Sequence, residues 1–372
     1  MGFVWKQFSY VEPVFFVYMH YLLLLFPVMA QYVYARISED VGFPYLNVTG
    51  GERCGGEDFA ENSTLKTLET EVQTRSATLY TYYMVCAVIP SLIVGPFYGS
   101  YSDKRGRKPV LMAPLLAGLF ETCLILVIIY FHLPLYMLFI GGVVNGLSGY
   151  VTTLWLALNS YLADTVKKDK LSNRMIVLNF SLFLAGTIAQ LTSGLWIEYL
   201  GFKNPLWFIV SLQSLACLYT ILFVKESVKE KVKANFFDLN SVRRLLQIVT
   251  KPRKNGRKNL VVALSILGTN IMITVGLSAV IILYVLRSPL CWQPTLVGYF
   301  LAYRFFALGA GSVIFIYLLR KCFNEINVTR LGFVSQIAGM LLFAFSTKTW
   351  MVFLGKSQFY KLQSSTINED FA

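Results

Sequence analysis

The sequence predicts an all-α polytopic membrane protein, and three observations carry that prediction. The first is composition: 56% of the residues are hydrophobic and 14% charged, with a mean hydropathy of +0.57, where an average soluble chain is about 25% charged. The second is the recurrence of apolar runs of about 20 residues, the length needed to cross a ~30 Å hydrocarbon core. The third is the placing of charge. Residues 225–258 carry eleven Lys/Arg against three Asp/Glu, whereas residues 36–75 carry four against eight. Basic and acidic connectors on opposite sides of a membrane account for the net charge of +13 as topology. No nucleic-acid partner is implied; the bilayer is.

The first span covers residues 13–34. No small-residue cleavage site follows it, so it reads as a helix and not as a signal peptide. A polar loop over 35–77 then holds Cys54 and two sequons, Asn47-Val-Thr49 and Asn62-Ser-Thr64, which favour the luminal or extracellular side. Span two is expected over 78–98, with Gly95 and Gly99 at a small-xxx-small spacing suited to close packing. Span three covers 109–130, a His132-Leu-Pro134 turn follows, and span four covers 135–160. Gly141, Gly142, Gly146 and Gly149 leave one face of span four nearly bare, for close packing or, less favoured, room for a solute. A basic connector at 164–174 leads to span five (175–198), a turn at 201–205 and span six (206–224).

Residues 225–259 form a basic cytoplasmic linker whose portion from Phe236 to Leu246 has the pattern of an amphipathic helix lying on the membrane surface. Span seven covers 260–285, a luminal loop 287–294, span eight 295–319 and span nine 328–346. Asn327-Val-Thr329 falls on the cytoplasmic side and should stay unglycosylated. The final residues, 348–372, read as a polar tail that opens with a brief apolar run, Trp350 to Leu354. The expected organisation is a six-span bundle over 1–224, the linker over 225–259, three further spans over 260–347, and the tail.

Between spans two and three lies Gly99-Ser-Tyr-Ser-Asp103-Lys-Arg-Gly106-Arg107-Lys108. Gly106 can supply a positive φ to a tight turn. Asp103 can accept backbone N–H groups or pair with Arg107, and the four cations fix the turn on the cytoplasmic side. This Gly-x-x-x-Asp-x-x-Gly-Arg-Lys pattern resembles the signature loop between helices 2 and 3 of the major facilitator superfamily of secondary transporters. The resemblance implies two six-helix bundles, so nine spans are expected to be the complete first bundle plus three helices of the second. It also implies that Asp103 docks on an eleventh helix, which lies beyond the nine spans of this chain. Three shorter stretches, Val11-Glu-Pro13, Gln31-Tyr-Val-Tyr34 and Ser288-Pro-Leu-Cys-Trp292, resemble solute carrier family 46, the group containing the proton-coupled folate transporter. Among its members the likeness is strongest to the lysosomal one, which is implied to export steroid conjugates with protons. In the folate transporter a helix 5 glutamate and a helix 7 histidine are implied in proton coupling. The matching helix 5 position here is Asn179, and helix 7 has no histidine. Cys54 and Cys291 are the two cysteines expected in the oxidising lumen, where disulfides persist, and the resemblance implies that they pair; the alternative is two free thiols.

No soluble catalytic constellation is visible. There are two histidines, His20 and His132, no Cys/His cluster with zinc spacing, no phosphate loop and no nucleophile elbow. An enzyme is not expected, nor a cofactor or metal. What remains is polarity inside the spans, which is costly in lipid and faces a cavity or a partner. Arg304 in span eight is the candidate for drawing in an anionic solute, against an equal reading as a structural ion pair. Glu121 in span three and His20 in span one are candidates for carrying a proton, although helix packing is the stronger reading of each. Asn145, Asn179 and Asn270 can hydrogen-bond a solute or glue helices. The aromatic residues are expected mostly at lipid and at the interfaces. The expected function is a proton-coupled secondary transporter of organic anions such as steroid conjugates, in the lysosomal membrane. The alternatives are a folate-type transporter at the plasma membrane, or a truncated glycoprotein that does not transport.

Overall fold

The computed structural model describes residues 11–44, 63–228, 235–239, 280–286, 292–319 and 325–356, with scattered positions between 243 and 290. Every regular element among the described residues is helical. In chain order these are α1 (Glu12–Val41), α2 (Ser63–Arg105), α3 (Arg107–Tyr130), a 3-10 turn (Leu135–Met137), α4 (Leu138–Leu147), α5 (Tyr150–Thr165), α6 (Lys168–Leu200), α7 (Lys203–Phe223), α8 (Pro294–Leu319), α9 (Glu325–Ala344) and α10 (Thr349–Lys356). Six segments, from Glu12–Val41 to Lys203–Phe223, are long and apolar enough to cross a membrane. They correspond to the six spans expected before the linker. Of the seventh, residues 280–286 are helical and most of the rest lies outside the described residues.

Several expected boundaries are corrected. The loop placed over 35–77 is shorter at both ends, because α1 runs on to Val41 and α2 begins at Ser63. Residues 63–77 contain no Gly or Pro, so no helix breaker stops the span from extending into the polar region. The basic connector expected over 164–174 is likewise mostly helix, since α5 ends at Thr165 and α6 begins at Lys168. Span four is instead broken: α4 ends at Leu147 and α5 starts at Tyr150. Gly149 between them is left-handed at φ 82, and Tyr150 itself has φ 50. The brief apolar run that opens the tail, Trp350 to Leu354, forms part of α10, which ends at Lys356. In the linker, Phe236 and Phe237 form a turn, Leu239 and Arg243 are helical, and most other residues of the helix expected from Phe236 to Leu246 lie outside those described.

The chain packs as two compact units. One consists of residues 1–18, 73–178 and 206–284. Its core is built on fully buried Phe15, Leu111, Leu115, Ile125 and Leu154, with the Phe15 ring edge-on to Trp155 at 4.8 Å. The expected bare face of α4 is used for packing. A Cβ on Gly142 would sit 3.2 Å from the Tyr83 ring, and one on Gly146 would sit 2.4 Å from the Ala87 carbonyl.

The other unit consists of residues 19–72, 179–205 and 285–372. Here α6 meets α8 almost backbone to backbone: a Cβ on Gly194 would lie 3.0 Å from the Gly298 Cα and 2.5 Å from the Pro294 carbonyl. Trp292 donates from Nε1 to the Thr349 hydroxyl at 3.2 Å and packs with Phe300 and Phe353, which seats α10. The aromatic residues therefore divide. Tyr18, Tyr21, Tyr34 and Phe300 are fully buried, while Tyr82, Phe120, Phe180 and Phe306 are exposed along the apolar helices. Leu92 and Ile93 are exposed on α2 in the same way. Apolar side chains pointing outward from membrane-length helices have hydrocarbon as their solvent.

Candidate functional site

The turn expected on the cytoplasmic side shrinks to a single residue, Gly106, between α2 and α3. Its φ of 128 lies where only glycine is comfortable. Gly106 has no side chain with which to cap α3, so the cap comes from elsewhere in the chain. Glu226, just past α7, accepts the backbone N–H of Arg107 at 2.7 Å and that of Lys108 at 3.3 Å. An acid at a helix N-terminus meets both the open N–H groups and the positive end of the dipole. A Cβ on Gly106 would stand 2.2 Å from that carboxylate.

Arg107 is nearly buried and acts as a fork. Its Nε donates to Asp164 at 3.0 Å, and its Nη1 donates to Ser102 at 3.0 Å and to Asp103 at 2.5 Å. Of the two roles open to Asp103, pairing with Arg107 is the one observed. Lys108 donates to the Ile221 carbonyl at 2.7 Å. Lys104 pairs with Asp238 of the linker at 2.7 Å, where Phe236 packs on Tyr98 and Tyr101. Gly99 allows α5 to approach, with Leu156 3.4 Å from where its Cβ would be. The C-terminal ends of α2, α5 and α7 and the N-terminal end of α3 are thus tied by charge around one glycine.

Deeper in the same unit, Glu121 is 1% exposed. It lies 14 residues from the start of α3 and nine from its end, about 21 and 14 Å at ~1.5 Å per residue. Tyr83 of α2 donates its hydroxyl to Glu121 Oε1, and Asn145 of α4 donates from Nδ2 to Oε2 at 2.7 Å. Gly141 admits the acid's stem, since a Cβ there would lie 3.2 Å from Glu121 Cγ. The next residue, Thr122, stands 3.5 Å from Gln213 of α7. The structure therefore brings together two residues that the sequence placed in different roles, Glu121 and Asn145. A second buried acid in this unit, Glu12, is paired directly with Arg174 at 2.9 Å.

The second unit holds the other intramembrane candidates. His20 is buried, and its ring hydrogen-bonds to the backbone of Ala185. Gln190 donates to the Leu23 carbonyl at 2.8 Å. Arg304 and Asn179 are half-buried, and Arg304 is the one charged residue of α8. Asn270, Asn47, Asn62, Cys54 and Cys291 lie outside the described residues. Cys86, Cys123 and Cys217 are free thiols.

Sequence reasoning passed over Glu226, Asp164, Glu12 and Tyr83. Three of these had a signal: an acid at the very end of an apolar run, beside a basic connector, has a cation or a helix N-terminus to meet. Tyr83 had none, being one of 22 tyrosines.

Membrane-length helices joined by an ion-latched cytoplasmic turn, with acids buried between them, define the class as a multi-pass membrane carrier. The Major Facilitator Superfamily model matches residues 14–360. The proton-coupled folate transporter of Bos taurus is 30% identical over 348 residues, covering 93% of this chain and 73% of that protein. The lysosomal proton-coupled steroid conjugate and bile acid symporter SLC46A3 of Rattus norvegicus is 30% identical over 367 residues, covering 95% and 77%. The chain belongs to the Major Facilitator Superfamily and, within it, to solute carrier family 46. The crystal structure of the human organic anion transporter MFSD10 (TETRAN) shares the fold, with a TM-score of 0.62 at 11% identity, over 96% of this chain and 84% of that one.

Proposed function

We propose that this chain is a proton-coupled secondary transporter of organic anions, with steroid conjugates and bile acids as the leading substrate class and the lysosomal membrane as its place. The observation that carries the reading is shared by two kinds of relative. The folate transporter and the steroid conjugate symporters are all named as proton-coupled, and each is similar over more than nine-tenths of this chain. Folates, conjugated steroids and bile acids have one chemistry in common, an anionic group on a largely apolar or aromatic body. Arg304 suits such a solute: a lone cation in an otherwise uncharged helix can offer a carboxylate or sulfate a charge-assisted bond. The proposed cycle is rocking of two helical bundles about a central site, with the Arg107 latch holding the cytoplasmic end in one of its states.

A folate-type transporter at the plasma membrane is the second reading, favoured by the 30% identity to the bovine folate transporter. One experiment separates them. The chain is reconstituted in liposomes and given labelled steroid sulfate, bile acid or folate, with and without a proton gradient that is acid outside. Saturable, gradient-driven uptake of steroid sulfate or bile acid is the expected result. Uptake of folate alone moves the assignment to the second reading. Uptake of none of them leaves a membrane glycoprotein that does not transport, and overturns both.

A further inference from the structure

We propose that Glu121 is the group that takes up and releases the coupled proton, with Tyr83 as its switchable partner and Asn145 as its fixed one. This rests on the proton-coupled reading above. A coupling site in an alternating-access carrier has to hold either protonation state deep in the membrane. The surrounding bonds have to be satisfiable in both states, because an unmet polar group in hydrocarbon costs several kcal/mol.

Glu121 meets that condition oxygen by oxygen. Asn145 Nδ2 can only donate, so Oε2 accepts from it whether the acid is ionised or neutral. Oε1 faces the Tyr83 hydroxyl, which can donate or accept. With Glu121 ionised, Tyr83 donates to it, as observed. With Glu121 neutral, the new proton sits on Oε1 and is donated to the phenol oxygen, whose own hydrogen turns away. One hydroxyl rotation therefore keeps both carboxyl oxygens bonded in either state with no heavy atom moved, and the phenol hydrogen it releases needs a second acceptor when Glu121 is neutral. Glu12 is arranged in the opposite way: it is as deeply buried, at 1% exposure, but its partner is a guanidinium, that of Arg174 at 2.9 Å.

Glu121 is hydrogen-bonded to Tyr83 of α2 and Asn145 of α4, and its neighbour Thr122 meets Gln213 of α7. Among the described residues, Tyr18 of α1, Tyr80 of α2 and Tyr150 of α5 interact with it electrostatically. These named titratable neighbours are phenols, neutral over the physiological range. The site also lies in the unit that holds the cytoplasmic latch. Asn145 stands four residues before Gly149, where the fourth span breaks.

Two measurements on the reconstituted full chain test this. The first is infrared difference spectroscopy over roughly pH 4 to 8, an interval spanning the ordinary carboxyl value of about 4.3. The part of the protonated-carboxyl band that Glu121→Gln removes from the wild-type spectrum should grow as pH falls and shift in Tyr83→Phe. Wild-type and Glu121→Gln spectra that titrate identically overturn the proposal, whether or not any solute is moved. The second measurement uses labelled steroid sulfate in two modes. Glu121→Gln should retain solute exchange between the two sides while losing at least tenfold of the gradient-driven accumulation. Unchanged accumulation by Glu121→Gln overturns the proposal and leaves the transport reading standing. A wild type that moves nothing overturns the transport reading, and the infrared titration still decides the proton site.

Discussion

Replacing Gly106 by alanine tests the latch at its tightest point. Two costs arise, with different origins. The first is conformational: at φ 128 and ψ 159, a residue with a Cβ is strained by about 1–3 kcal/mol. The second is a collision, because the new methyl would stand 2.2 Å from Glu226 Oε2. It must push the carboxylate off the N–H groups of Arg107 and Lys108, which it meets at 2.7 and 3.3 Å. Hydrogen bonds to charged groups contribute about 1.5–3 kcal/mol each; the site is half-buried and the second bond is long, so the lower end of that range applies to the pair as a whole. The expected loss is about 3–5 kcal/mol, a large part of a total stability of about 5–15 kcal/mol. Glu226→Ala removes the second cost in advance. In that background Gly106→Ala should cost only the conformational part, so the two substitutions should be non-additive by about 1.5–2 kcal/mol. Reversible unfolding in mixed detergent micelles would measure all four proteins of the cycle. If Gly106→Ala costs the same with and without Glu226, the collision is not real; if it costs nothing in either background, the positive φ is wrong.

Four further outcomes are expected. Arg107→Lys keeps the charge but loses the fork that meets Asp103, Asp164 and Ser102 together; with Asp103 largely solvated, a loss of about 1–2 kcal/mol is expected, and a cysteine placed at the cytoplasmic end of α5 should label faster. Arg304→Gln should weaken uptake of labelled steroid sulfate at least tenfold while surface expression is unchanged; equal uptake would make Arg304 a structural cation. Glycosidase should shift the mass of the wild type, and Asn47→Gln combined with Asn62→Gln should abolish the shift, whereas a residual shift through Asn327 would reverse the topology. Cys54 and Cys291 should resist thiol labelling until reductant is added; labelling of both without reductant would exclude a bond between them.

The fold was legible because the bilayer imposes one length scale and one sign rule, and neither depends on tertiary context. The first six spans are found where apolar runs predict them, and Gly106 takes the positive φ. Element ends were less legible. Residues 63–77 look like loop by polarity, but their backbone satisfies itself most cheaply as helix, and nothing in the polarity of a segment reports that. The break at Gly149 was hidden for a related reason: four glycines advertise close packing equally well on a straight helix and on a bent one. At the buried acid, the type of residue was visible and its partner was not. Glu121 and Asn145 are 24 positions apart, and their meeting depends on how α3 and α4 are rotated, which no local pattern encodes. Glu226 carried a signal in its place at the end of an apolar run, but amid eleven cations it reads as one more solvated charge.

The glycine crossing of α6 and α8 sets a timetable for biosynthesis. Gly194 and Gly298 are 104 residues apart in the chain, yet each occupies the space that the other's side chain would need. At a synthesis rate of about 5–20 residues per second, α6 enters the bilayer roughly 5–20 s before the helix it fits. During that interval its bare glycine surface has only lipid, or whatever assists membrane insertion, to lie against. The first unit has no such delay within its helical core, since α2 to α5 and α7 are all made before the linker emerges. A nascent chain stalled in the linker should therefore already protect the Glu121 site while leaving Gly194 open, so that the two halves of one membrane protein mature on separate clocks.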